Sequence, residues 1–142
     1  MITFQTEDLK FTLKNKTLLK QWITSVVVKK KRKVGEMAFV FCSDAYLLNI
    51  NNQYLNHDTY TDIITFDYSK EDIKQPISGD IFISVDRIRE NAAKYSKSLE
   101  NELYRVIIHG TLHLLGYTDK TKAAKGEMTK QVDACLKLLA IK

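Results

Sequence analysis

The segment LYRVIIHGTLHLLG, Leu103 to Gly116, constrains this chain more than any other. Its apolar residues leave little room for a solvent-facing stripe, so it predicts a helix buried over most of its surface, around which the other elements must pack. Two of the chain's three histidines, His109 and His113, nevertheless lie inside it. Buried imidazoles without partners are costly, and residues four apart on a helix point the same way, so the pair presents two rings to one point in space. Gly116 follows three residues after His113, and Asp119 three residues after that. A glycine in the left-handed conformation ends a helix and turns the chain back, which lets a third side chain approach the same point.

The resulting pattern, HxxxHxxGxxD, has the layout of the extended zincin motif HExxHxxGxxH, with Gly110 at the position of the protease glutamate and Asp119 at that of the third ligand. A carboxylate is an acceptable zinc ligand, and three protein ligands leave a fourth position open to solvent, as catalytic sites require. His109, His113 and Asp119 are therefore predicted to hold one divalent transition-metal ion; iron, manganese and nickel accept the same donors as zinc. Zinc lowers the pKa of its bound water toward about 7, and an anionic Asp119 damps that effect by cancelling part of the ion's charge. The same letters also fit two core histidines bonded to backbone carbonyls, with Asp119 capping a helix that begins near Thr121. His57, in a polar loop, is expected to be solvated rather than to supply a fourth ligand.

Away from this segment the periodicities alternate. ITFQ near the start reads as a strand, and TLLKQWITSVVVKKKRK carries Leu18, Leu19, Trp22, Ile23, Val26 and Val27 at helical spacing. The cations Lys29 to Lys33 complement the negative end of that helix and read as a solvated terminus, with a nuclear import signal or a phosphate-tracking patch as the alternatives. EMAFVFC is strand-like. SDAYLLNINNQYLN begins with an N-capping Ser43 or Asp44 and keeps Tyr46, Leu47, Ile50 and Tyr54 on one face. TDIITFDY and GDIFISV predict a pair of sequence-adjacent strands, separated by a loop that holds the only proline, Pro76. From Asp86 to Leu115 the pattern is helical with a break near Ser96 to Ser98, and KAAKGEMTKQVDACLKLLAI closes the chain with an amphipathic helix. This order implies an α/β (α+β) fold: a single domain over residues 1–142, with a mixed sheet of about four strands packed against helices, one of them the zincin-like metal-binding helix.

With 142 residues and 44% hydrophobic content the chain is long enough for one core without staples. No apolar run approaches the roughly 20 residues of a membrane span, and MITFQTEDLKF lacks the basic start and greasy core of a secretion signal, so a cytoplasmic protein is expected. Cys42 and Cys135 lie far apart without CxxC spacing and are expected as buried thiols. A formal charge of +5 favours an anionic partner. Of the 22 cations only Arg32, Arg87, Arg89 and Arg105 are arginine, which suits diffuse attraction to phosphate better than many bidentate contacts.

HGTLHLLGY resembles HGxLHLxGYDH, the signature of the YbeY family of metal-dependent endoribonucleases. INNQYLNHDTYTDIITF is similar, without gaps, to that family's LNxxYRxxDxPTDVLSF, and SGDIFIS to its GDIxIS strand. The resemblance implies an enzyme that cleaves single-stranded RNA in ribosomal RNA maturation and ribosome quality control, with one zinc ion and ribosomal RNA or a ribosomal subunit as partner. It places the family's third histidine ligand on Asp119, the acid before it on Thr118, its activity-linked arginine on Leu55 and its proline on Tyr60. Loss of that arginine removes a fork suited to phosphate or developing negative charge. Arg105, one turn before His109 on the same face, is a candidate replacement, and a salt bridge is the competing role for it. Thr61, Asp62 and Thr65, on the segment matching TDVLSF, are candidates for lining the substrate cleft.

Two other functions fit parts of this pattern. A zincin-like metallopeptidase matches the ligand spacing, but Gly110 deprives it of the base that accepts a proton from water and returns it to the leaving amine. A phosphodiester is already anionic and needs charge neutralisation more than that base. A non-catalytic, ribosome-associated RNA-binding protein is the alternative if the loss at Leu55 abolishes turnover.

Overall fold

The computed structural model describes residues 1–55, 61–69 and 74–139, excepting the side chains of residues 54 and 55. In chain order these form β1 (Ile2–Thr6), α1 (Lys16–Lys29), β2 (Val34–Cys42), α2 (Asp44–Leu55), β3 (Ile63–Asp67), β4 (Ile77–Ser84), α3 (Val85–Lys94), α4 (Leu99–Leu114) and α5 (Lys122–Lys137). His57 and Tyr60 lie outside the described residues, as does part of the loop before Pro76.

The four strands lie in the order β1-β2-β4-β3. β1 runs parallel to β2, and β2 to β4, whereas β3 pairs antiparallel with β4 and places Ile63 opposite Ile83 and Phe66 opposite Asp80. The mixed four-stranded sheet and the adjacent β3–β4 pair agree with the sequence reading.

Strand alternation divides the core into two layers. Met37, Phe39 and Phe41 of β2, with Ile77, Ile81 and Ile83 of β4, pack against Trp22 and Ile23 of α1, Ile88 of α3, Ile107 and Ile108 of α4, and Met128 and Val132 of α5. The opposite face is smaller: Cys42 and Ile64 meet Leu47 and Ile50 of α2. α4 therefore sits directly on the sheet, with α5 across it. Leu103, Val106, Ile107, Ile108 and Leu112 are all buried, each worth about 1.5–3 kcal/mol of transfer free energy.

Local chemistry sets the helix limits. Ser43 accepts the amide of Tyr46, Ser84 that of Arg87, Ser98 that of Asn101 and Thr121 that of Ala124, so hydroxyl caps open four helices. Three helices close in the same way, with a left-handed residue whose successor's amide reaches back five positions: Lys31 after α1, Ser96 after α3 and Gly116 after α4. The turn at Ser96 is the break expected between Ser96 and Ser98. Trp22 donates its indole N–H to the Cys135 carbonyl at 2.9 Å, tying α1 to α5. Both cysteines are buried and free, and burial with the nearby acids Asp8 and Glu7 pushes the Cys42 thiol up to about 12.

Candidate metal centre

α4 carries His109 and His113 one turn apart on its solvent-facing edge, with side chains 28% and 22% exposed. Their Nε2 atoms lie 2.9 Å apart. After His113 the helix closes at Gly116, whose φ of 104° is forbidding to any residue with a Cβ. The Gly116 amide donates to the His113 carbonyl and that of Tyr117 to Leu112, each at 3.0 Å, and these bonds double the chain back. Asp119 thereby returns to the imidazoles, its Oδ2 3.5 Å from His109 Nε2 and 3.7 Å from His113 Nε2. The cap of α5 is Thr121, so Asp119 is free of the capping role that competed for it.

Among the described residues these three form the one group of His, Cys, Asp and Glu whose ligand atoms all lie within 4.8 Å of one another. A tetrahedral ion with bonds of about 2.0–2.1 Å holds its ligand atoms about 3.3–3.4 Å apart. The separations of 2.9, 3.5 and 3.7 Å straddle that edge, so the donor set fits a zinc-sized ion. The electrostatics favour the same use. Burial, followed by the neighbouring His109, lowers the pKa of His113 below its usual value, against the opposing pull of Asp119. A ring held neutral near pH 7 is the form that ligates a metal. The Tyr117 backbone beside the same ring works in the same direction as Asp119, and burial outweighs both.

Gly110, between the two ligands, is where α4 touches the sheet. A Cβ there would stand 2.7 Å from Ile81 Cγ2 and 2.9 Å from Ile63 Cδ1. The protease-type glutamate is thus excluded by packing as well as by sequence.

The remaining candidates are dispersed around this tripod. Asp62, half-buried just before β3, is near enough for its charge to act on His113 and on Glu102. Thr61 donates its hydroxyl to the Ile63 carbonyl at 3.3 Å. Thr65 is half-buried, pairs with Ile81 and shares the strand face of Ile63, toward α4. Arg105 is taken up by Asp133 of α5 at 2.9 Å, the salt bridge that competed with its catalytic role. Leu55 ends α2. Glu102 escaped the sequence reading: it is a buried carboxylate two turns before His109, its pKa raised chiefly by burial. Its signal was an acid at a core position of an otherwise apolar helix. A separate cleft of about 480 Å³, lined by Tyr46, Gln53, Phe66, Asp80 and others, opens on the α2 face of the sheet, away from the tripod. It contains none of the three candidate ligands.

An α+β scaffold whose most enclosed helix supplies two imidazoles, and whose closing turn supplies a carboxylate, presents the donor set of the metal-dependent hydrolase class. The family model described as Endoribonuclease YbeY matches residues 1–140, and the chain belongs to this family. The chain is 46% identical over 142 residues to the endoribonuclease YbeY of Flavobacterium psychrophilum, covering 100% of this chain and 99% of that protein. It is 45% identical to the Bacteroides thetaiotaomicron protein of the same name, over 99% of this chain and 98% of the other. The solution structure of TM1509 from Thermotoga maritima is similar with a TM-score of 0.63 and 28% identity, covering 97% of this chain and 91% of that one.

Proposed function

We propose that this protein is a metal-dependent endoribonuclease that cleaves single-stranded RNA, with ribosomal RNA as its substrate and ribosome maturation and quality control as its setting. The observation that carries this reading is the convergence of His109, His113 and Asp119 within a chain of the endoribonuclease YbeY family. These three residues would hold one zinc ion. Bound there, the ion supplies Lewis acidity toward the phosphodiester and acidifies water at the open position.

The chain's own residues do the rest. α4 fixes both imidazoles on a helix pinned to the sheet at Gly110, and the closing turn at Gly116 brings Asp119 back to them. Thr61, Asp62 and Thr65 line the approach along β3, with Asp62 supplying a negative field that favours a cation over the imidazoles. Arg105 is held by Asp133, so charge neutralisation beyond the metal falls to other cations. No helix among the described residues is long and apolar enough to cross a membrane, and we place the protein in the cytoplasm.

The test is elemental analysis of untagged protein together with cleavage of single-stranded RNA. About one equivalent of transition metal is expected, lost in the His109→Ala/His113→Ala variant, with cleavage abolished by chelator. Full metal retention in the double variant defeats the tripod. RNA binding without cleavage supports the non-catalytic binder instead.

A further inference from the structure

Resting on the RNA reading above, we propose that Lys30, Lys31 and Arg32, together with Tyr117, form a phosphate-binding groove that holds the RNA backbone beside the tripod. As a sequence, Lys29 to Lys33 has the look of a solvated helix end. The fold gives it a different setting. Lys31 takes the left-handed conformation, with φ 64°, and the Arg32 amide reaches back to Val27, so the run bends around instead of trailing into solvent. It faces Leu115, Gly116 and Tyr117 across a concavity of about 410 Å³. That opposite wall is the turn joining His113 to Asp119.

The cations are arranged rather than merely present. Lys30 is half-buried, its Nζ 5.3 Å from the centre of the Tyr117 ring and 2.6 Å from Gln131 Oε1. Gln131 is itself held by Glu127 at 2.8 Å. An ammonium fixed in advance loses less side-chain entropy on meeting an anion. Among the described residues no carboxylate lines the groove, and Lys30, Lys31 and Arg32 form no ion pair. Among the described residues the Arg32 side chain reaches the Gln75 carbonyl, at 3.4 Å, and its buried Nε has no partner there. Three cations around one hollow, with no described carboxylate beside them, fit a phosphodiester. Because the hollow adjoins the ligand turn, the phosphate held there belongs to a nucleotide flanking the one being cleaved.

The experiment is fluorescence anisotropy of a labelled single-stranded oligoribonucleotide against metal-free protein at several KCl concentrations. Lys30→Gln/Lys31→Gly/Arg32→Gln should weaken binding about tenfold at moderate salt and reduce the slope of log K against log[KCl] by about 1–2, at roughly 0.7 per phosphate contact. Lys31→Gly alone should keep or raise Tm, since glycine relieves the left-handed residue, while still weakening binding. The exposed set Lys14→Gln/Lys16→Gln/Lys20→Gln removes the same formal charge elsewhere and should cost distinctly less. Equal losses in the two triple variants, or unchanged affinity in the groove variant, overturn the groove while the RNA reading stands. Absence of RNA binding by the unaltered protein overturns both.

Discussion

Replacing Gly110 with alanine tests whether helix-to-sheet contact positions the imidazoles. The added Cβ would lie 2.7 Å from Ile81 Cγ2 and 2.9 Å from Ile63 Cδ1, against a comfortable carbon–carbon separation of about 3.5–4.0 Å. Ile63 is half-buried on the edge strand and can give way, but Ile81 is wholly enclosed in β4. Overpacking of this kind costs about 1–3 kcal/mol, and the better helix propensity of alanine returns about 1 kcal/mol. A net loss of about 1 kcal/mol is expected, or about 3–5 °C in Tm for a chain of this size. Urea unfolding of metal-free protein measures it without interference from bound ion. A double-mutant cycle with Ile81→Ala sharpens the assignment: that substitution costs about 2–5 kcal/mol alone and should cost at least about 1 kcal/mol less beside Gly110→Ala, because the new methyl occupies the vacated space. Metal affinity should fall in Gly110→Ala and recover in the double variant. Strict additivity, or stabilisation by the full helix-propensity gain, refutes the close contact.

Three other perturbations have defined outcomes. Glu102 has its pKa raised by burial, so the folded state binds its proton more tightly than the unfolded state, and its contribution to stability falls as pH rises from the unfolded value through the folded one. Glu102→Gln should therefore be more stable than the parent at neutral pH, with the advantage vanishing in acid; urea midpoints across pH 4–8 check the sign. At a free-ion concentration about 100 times Kd, bound metal should add about 2.7 kcal/mol to stability, seen as a Tm rise that chelator reverses and His109→Ala/His113→Ala abolishes. Leu55→Arg, restoring a guanidinium at the end of α2, should raise kcat/KM on RNA by about tenfold or more if that position serves developing charge; an unchanged value assigns the function to cations elsewhere.

The elements most legible in the sequence were those whose cause is local. The cap at Ser43, the turn at Ser96 and the closure at Gly116 follow from hydroxyl and backbone chemistry within a few residues. The tripod was legible for the same reason, since helix spacing and one glycine bring its three members together. What distance along the chain hides is partnership. The insertion of β4 between β2 and β3 depends on crossover packing, which no strand pattern records. Arg105 had two open roles because Asp133 is 28 residues away on another helix. The lysine run looked solvated because nothing in its letters shows Tyr117 waiting opposite the bend.

The tripod is unequally founded. Two donors ride on α4, locked in the core, whereas Asp119 stands 45% exposed beyond an exposed Gly116. Fraying of that turn needs far less free energy than opening the core. Release of that single carboxylate would then open the proposed ion site, so that a few surface residues govern access to it. On the proposed reading, an ion held by this tripod would be lost and regained without unfolding of the core, leaving occupancy to answer to the supply of ions around it.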